Sequence, residues 1–261
     1  MKKIGLALGA GSAKGFAHLG VLRALKENNI PIDMVCGSSI GAIVGGIFSA
    51  GTDTERLIKF IKVMDIKGQL DVSNVISSGG LLKGDKIENL IRMFTHNLNF
   101  GETPVPFKCV AVNINTGKLK VFEEGNIARA VRASMSIPGV FAPVSIDGEV
   151  YVDGSVIERV PCAALRDAGM DVVIGVDVGY QGEGFMSKPT HYYSALTRSF
   201  DIMMWEVTKR KTNEADVLIQ PKVQYIDGYF NLDYLDQEVE EGYRVGIKAI
   251  PEIKKRLVDI Y

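Results

Sequence analysis

Two glycine-bearing bends on successive strand-to-helix crossovers constrain this chain more than any other feature. Gly9-Ala10-Gly11-Ser12-Ala13-Lys14-Gly15 follows the apolar run Lys3-Ile4-Gly5-Leu6-Ala7-Leu8 and leads into Phe16, Leu19, Leu22 and Leu25 at helical spacing. Asn28-Asn29 then supplies a stop. Gly37-Ser38-Ser39-Ile40-Gly41 follows the short apolar run Met34-Val35-Cys36 and opens an Ala/Ile/Gly-rich helical run over residues 40–50. Strand, loop, helix, strand, turn and helix in quick succession predict an α/β fold with a parallel sheet covered by helices.

The pattern loosens afterwards. Helices are expected over 54–64, 85–96, 126–134 and 194–211, with two more at the end of the chain, and strands over 107–113, 119–122, 171–177 and 217–220. Ser77-Ser78-Gly79-Gly80 and residues 179–191 read as loops, and Pro138-Gly139 as a break. Asp147-Gly148 between alternating apolar residues predicts a hairpin over 143–152 with a type I′ turn. With 261 residues and no repeats or linkers, the expectation is one domain over 1–261.

Charge narrows the partners. Thirty Lys and Arg against 31 Asp and Glu leave a formal net charge of −1, which argues against a nucleic-acid binder. Cys36, Cys109 and Cys162 show no CxxC spacing and sit among apolar residues, so buried thiols and a cytoplasmic location are expected. Met1-Lys2-Lys3 and the apolar residues after it resemble a short signal peptide, but the run is brief and broken by glycine, and a first strand fits better. No apolar run approaches the ~18 residues of a membrane span.

Gly-x-Ser-x-Gly between strand and helix is the pattern of a nucleophile elbow, a turn so sharp that side chains two residues either side of the serine would collide. Symmetry selects Ser39 over Ser38. The bland alternative is that one of these serines merely caps the following helix. The earlier loop, residues 9–15, turns several backbone N–H groups one way, as an anion site does. A dinucleotide site would need an acidic residue at the end of the second strand, where the elbow stands instead, and a Walker loop would need Ser or Thr after Lys14, where Gly15 stands. An oxyanion hole beside a nucleophile accounts for both bends.

A serine hydroxyl needs a proton acceptor. His18 lies one turn inside the first helix and is expected either to bond the backbone or to position the glycine loop, His96 to face solvent at a helix end, and His191 to sit in a loop. Among the Asp-Gly pairs, Asp147-Gly148 serves the hairpin and Asp227-Gly228 an ordinary turn, while Asp153-Gly154 has no evident turn duty. A free aspartate of pKa about 3.9 is a poor base, so Asp153 requires burial and close contact to serve.

Together with His18-Leu19-Gly20 and Ala133-Ser134-Met135-Ser136-Ile137-Pro138-Gly139, these motifs resemble the bacterial patatin-like phospholipases, in order, over residues 1–178. The resemblance implies a three-layer α/β/α fold with a mostly parallel central sheet. It implies a catalytic dyad of Ser39 and Asp153, an oxyanion hole of N–H groups around Gly11 and Ser12, and Lys14 in the place of the loop's basic residue. It implies cleavage of fatty acyl esters of phospholipids, lysophospholipids or neutral lipids without calcium; no metal or cofactor is expected, and peripheral contact with a membrane is left open. Ala10 and Ser12 stand where many members have glycine, and Ser155, after Gly154, where Gly or Ala is usual. Residues 179–261 carry no motif of the family; Phe185, Met186, Tyr192 and Tyr193 are candidates for an acyl-contacting lip. A thioesterase or other esterase with the same dyad, and a non-catalytic lipid-binding module, remain open.

Overall fold

Alternation along the first strand sorts the molecule into layers. In the computed structural model, which describes residues 2–64, 71, 80–182, 192–209, 214–222 and 232–258, Ile4, Leu6 and Leu8 enter one hydrophobic core while Ala7 enters another. Val35 and Cys36 divide in the same way, as period-two side chains on a sheet buried on both faces must. The strands are β1 (Ile4–Leu8), β2 (Met34–Ser38), β3 (Gly80–Leu82), β4 (Phe107–Asn113), β5 (Leu119–Phe122), β6 (Gly139–Phe141), β7 (Val144–Ile146), β8 (Glu149–Asp153), β9 (Val172–Val176) and β10 (Val217–Ile219). The helices are α1 (Ala17–Glu27), α2 (Ile40–Ser49), α3 (Thr54–Val63), α4 (Asp85–Phe94), α5 (Ile127–Ser134), α6 (Cys162–Asp167), α7 (Tyr192–Thr208) and α8 (Leu235–Leu257).

Strands β10, β9, β1, β2 and β4 pair in that order, all parallel. β5 and the β7–β8 hairpin join antiparallel through β4. The larger core lies between the sheet and α1, α2, α5 and α8, and the smaller one lies under α6. The chain is therefore a helix–sheet–helix α/β fold with a mostly parallel sheet.

The β7–β8 turn carries positive φ at both Asp147 (52°) and Gly148 (82°), the requirement of a type I′ turn. Asn29 stops α1 in a left-handed conformation, φ 54°. Several expectations need correction. α1 starts at Ala17, because Ser12 turns left-handed (φ 54°) and residues Ser12–Phe16 form a tighter 3₁₀ turn first. The Pro138-Gly139 break runs straight into β6, which pairs with β3 beginning at Gly80. Helix α6 had no expectation, being too short to show a period. In place of two closing helices the described residues hold one, α8, which passes through Pro251 without ending.

α1 and α8 touch backbone to backbone. A Cβ on Gly20 would run into the carbonyl of Val239, and one on Gly242 into the carbonyl of Ala17. Among the described residues no helix is long and apolar enough to cross a membrane. The three cysteines are buried and unpaired.

Candidate active site

Strand β4 brings the two ends of the motif set together. β2 runs parallel to β4 and ends with Ser38 opposite Val110, while β8 runs antiparallel and ends with Asp153 opposite Ala111. β5 covers the other edge of β4 at these positions, so β2 and β8 share one edge and meet head to head. Ser39 Oγ donates to Asp153 Oδ2 over 2.6 Å.

At Ser39 φ is 55° and ψ is −122°, a conformation that costs a non-glycine residue about 1–3 kcal/mol. Its N–H donates to Ser134 Oγ (3.0 Å), and its carbonyl accepts from the N–H groups of Ala42 (2.9 Å) and Ile43 (3.2 Å). Ser39 is the N-cap residue of α2, yet its side chain makes no capping bond, so the hydroxyl is left for Asp153. The flanking glycines are required by contact. A Cβ on Gly37 would strike the backbone of Ala42, and one on Gly41 the carbonyl of Leu8. Ser38 is fully buried, and its hydroxyl has no partner among the described residues.

Asp153 is 0% exposed. Burial pushes its carboxyl up to about 6, held back by hydrogen bonds from the Ser155 hydroxyl, from Ser39 and from the Ser155 N–H. That N–H donates to Oδ1 at 2.8 Å, so Asp153 also caps the 3₁₀ turn Gly154–Val156, a turn duty not evident in the sequence. Gly154 lies so close to β4 that a Cβ would meet the Val110 carbonyl.

The glycine loop packs directly on the elbow, since a Cβ on Gly15 would collide with the Ile40 side chain. Not every N–H of that loop is available: Gly9 donates to Val176 O and Ala10 to Arg159 O, each at 2.9 Å. The N–H groups of Gly11 and Ser12 have no such bond among the described residues, and both residues line the cavity that contains Ser39. His18 is fully buried, with Nε2 2.8 Å from the carbonyl of Gly9. Burial lowers its pKa to about 4, so the ring is neutral, Nε2 is the donor, and the side chain anchors the loop. His96 is exposed; His191 and Asp227-Gly228 lie outside the described residues.

Lys14 does not line the cavity. Its side chain is buried, and burial lowers its pKa to about 8, with Asp201 and Glu238 pulling it up and Arg159 pushing it down. Burial also raises Asp201 to about 6 and Glu238 to about 8, in each case restrained by Lys14. Ala13 and Gly15 likewise sit behind the wall. Among the described residues no three His, Cys, Asp or Glu side chains gather to hold a metal ion.

The cavity measures about 130 Å³, and its lining includes Ile137, Pro138 and Val156 together with Phe200, Met203, Met204 and Val207 of α7. None of these was expected there. Phe185 and Met186 lie outside the described residues, as do the side chains of Tyr192 and Tyr193. Arg159 was also unforeseen. Its guanidinium bonds Asp177 Oδ2 (2.6 Å) and Tyr180 O (2.8 Å), and sits 5.4 Å from the Trp205 ring centre. Such contacts span distant segments, and no spacing in the sequence signals them.

A left-handed serine heading a helix after a parallel strand, bonded to a buried carboxylate beneath a glycine loop, defines a protein of the nucleophile-elbow class. The family model for patatin-like phospholipase matches residues 6–166, and the chain belongs to the patatin-like phospholipase family. An uncharacterized NTE family protein of Mycobacterium tuberculosis is 36% identical over 178 residues, 67% of this chain and 49% of that relative. A lysophospholipase of Neurospora crassa is 32% identical over 290 residues, covering 98% of this chain and 19% of that relative. The chain thus spans half or less of the length of these relatives. Among solved structures, VipD from Legionella pneumophila superposes with a TM-score of 0.67 at 15% identity, over 96% of this chain and 67% of that one, a likeness of fold.

Proposed function

We propose that the chain is a lipid acyl hydrolase in which Ser39 attacks a fatty acyl ester and Asp153 takes and returns the proton. The observation that carries this reading is the 2.6 Å bond between Ser39 Oγ and a carboxylate that burial has made basic enough to act near neutral pH. As Oγ bonds the ester carbonyl carbon, its proton passes to Asp153, and the carbonyl oxygen becomes an oxyanion. Gly11 and Ser12 line the shared cavity and make no backbone bond through their N–H groups among the described residues, which supports these as its donors, each worth about 3 kcal/mol in such a site. The tetrahedral adduct collapses, the alcohol leaves with the Asp153 proton, and an acyl-Ser39 ester remains. Water then gives its proton to Asp153 and attacks the acyl carbon, and the fatty acid departs as Ser39 regains its proton.

The lysophospholipase name of the Neurospora relative and the apolar cavity support a lipid ester as substrate. Val156, Met203 and Val207 line the cavity and are also exposed, which suits peripheral contact with a lipid surface, and three unpaired buried thiols suit the cytoplasm. We read 1–261 as one domain, because residues from β1 to α8 share one core. Turnover of a medium-chain ester tests the mechanism: Ser39→Ala and Asp153→Asn should each lose about a thousandfold or more. Undiminished turnover in either variant would rule out the dyad.

A further inference from the structure

The two partners of the site hang from one short stretch. Ser134, the last residue of α5, accepts the N–H of Ser39 on its hydroxyl at 3.0 Å. Two residues on, the carbonyl of Ser136 accepts the N–H of Asp153 at 2.9 Å. Both serines are fully buried. The stretch is itself braced by Arg132, 2% exposed, whose Nη1 donates to Ser136 Oγ at 2.7 Å while that hydroxyl donates back to the Arg132 carbonyl at 2.9 Å. Nη2 donates to the carbonyls of Ala142 (3.0 Å) and Lys83, fixing the far side of the segment that carries Ile137 and Pro138 into the cavity. Burial lowers even this guanidinium, to about 10, so its desolvation is a standing cost of the brace.

We infer that Ser134 is a positioning residue, whose hydroxyl holds the strained Ser39 backbone at the angle that aims Oγ at Asp153, with Ser136 holding Asp153 from the same rail. The inference rests on the Ser39–Asp153 reading above. Without the Ser134 hydroxyl the Ser39 N–H is a buried donor with no acceptor, and the turn gains by rotating away from its left-handed conformation. Oγ then leaves the line to Oδ2. A reacting group displaced by about 1 Å can lose a hundredfold in rate. The bond also takes the Ser39 N–H out of the set available to an oxyanion, which leaves that task to the glycine loop.

The test compares Ser134→Ala and Ser134→Thr with the parent chain by ester turnover, by fluorophosphonate labelling of Ser39 across pH, and by hydrogen exchange of the Ser39 amide. Ser134→Ala lowers kcat and the plateau labelling rate about tenfold or more, with KM and the inflection of the pH profile unchanged, and its Ser39 amide loses protection. Ser134→Thr, which keeps a hydroxyl at that point, restores both rate and protection. A merely structural role would lower the melting temperature and leave the rate per folded molecule alone. Parent-like labelling in Ser134→Ala, an amide that stays protected, or equal damage in Ser134→Thr overturns the inference. A parent chain that neither hydrolyses nor labels counts against the hydrolase reading instead, and the amide protection then decides this inference by itself.

Discussion

Ser39 and Asp153 meet where two strands end against consecutive residues of a third: β2 stops with Ser38 beside Val110, and β8, running the other way, stops with Asp153 beside Ala111. Two residues 114 apart in sequence become hydrogen-bonded partners because their strands collide end-on along a single edge of β4. The site is a product of sheet register, and a shift of either strand by one residue would also turn its side chains to the opposite face.

The pH dependence of turnover should report Asp153. Its carboxyl, raised to about 6, must be ionised to accept a proton, so kcat/KM rises about tenfold per pH unit below that value and levels off above it. His18, neutral above about 4, contributes nothing to this limb. Removing the Ser155 hydroxyl deletes a bond that holds the carboxyl down, so Ser155→Ala moves the limb to higher pH. Asp201, also near 6 and also in the cavity wall, is the competing source; in Asp201→Asn the limb should stay where it is.

Stability should carry the cost of that base. The folded carboxyl titrates near 6 against an ordinary value of 3.8, so the native state binds the proton more readily than the unfolded chain. The penalty is absent below the ordinary value, grows as pH rises toward 6, and is fully present above it, at about 3 kcal/mol. Asp153→Asn should therefore melt higher than the parent at pH about 8, with the gap closing toward pH about 4. A gap that widens on acidification would reverse the sign of this argument.

Glycine replacements should separate rigid contacts from yielding ones. Gly41→Ala drives a methyl into the Leu8 carbonyl, which cannot move without the sheet, whereas the atoms nearest a methyl on Gly15 belong to the side chain of Ile40. Denaturant unfolding should show the greater loss for Gly41→Ala, about 3 kcal/mol or more, with a smaller loss for Gly15→Ala.

Acyl length should depend on α7. A cavity of about 130 Å³ is comparable with the ~150 Å³ void that holds a benzene-sized guest, room for about six carbons. Met204 and Phe200, both of α7, line it. Met204→Ala removes about three methylene-sized groups from that lining, so the ratio of kcat/KM for a dodecanoyl over a butyryl ester should rise about fivefold or more. An unchanged ratio would mean that long chains leave along another route.

Much of this was readable in the residues, and what was not has a physical reason. The elbow, the glycine loop, the Asp147-Gly148 hairpin and the backbone bond of His18 are local, each set by a backbone constraint within a few positions. Ser134 and Ser136 lay in a stretch singled out by family resemblance, but their partners are 95 and 17 residues away in sequence and emerge only from the sheet. Lys14 looked like a loop cation, and the structure turns it inward toward Asp201 and Glu238, contributed by helices whose placement no motif marks. The helix α7 is legible over 194–211, but not which of its residues line the cavity, because its apolar residues face cavity and solvent together.

The bare-backbone seam between α1 and α8 changes what counts as the minimal protein. The stretch recognisable by motif ends well before α8, yet Gly20 and Gly242 leave no room for anything but each other's main chain. A version trimmed to the recognisable part would present a shallow apolar trough on α1 and a raw border on β9, surfaces that seek another copy of themselves. What reads as a featureless tail is the panel that covers both surfaces.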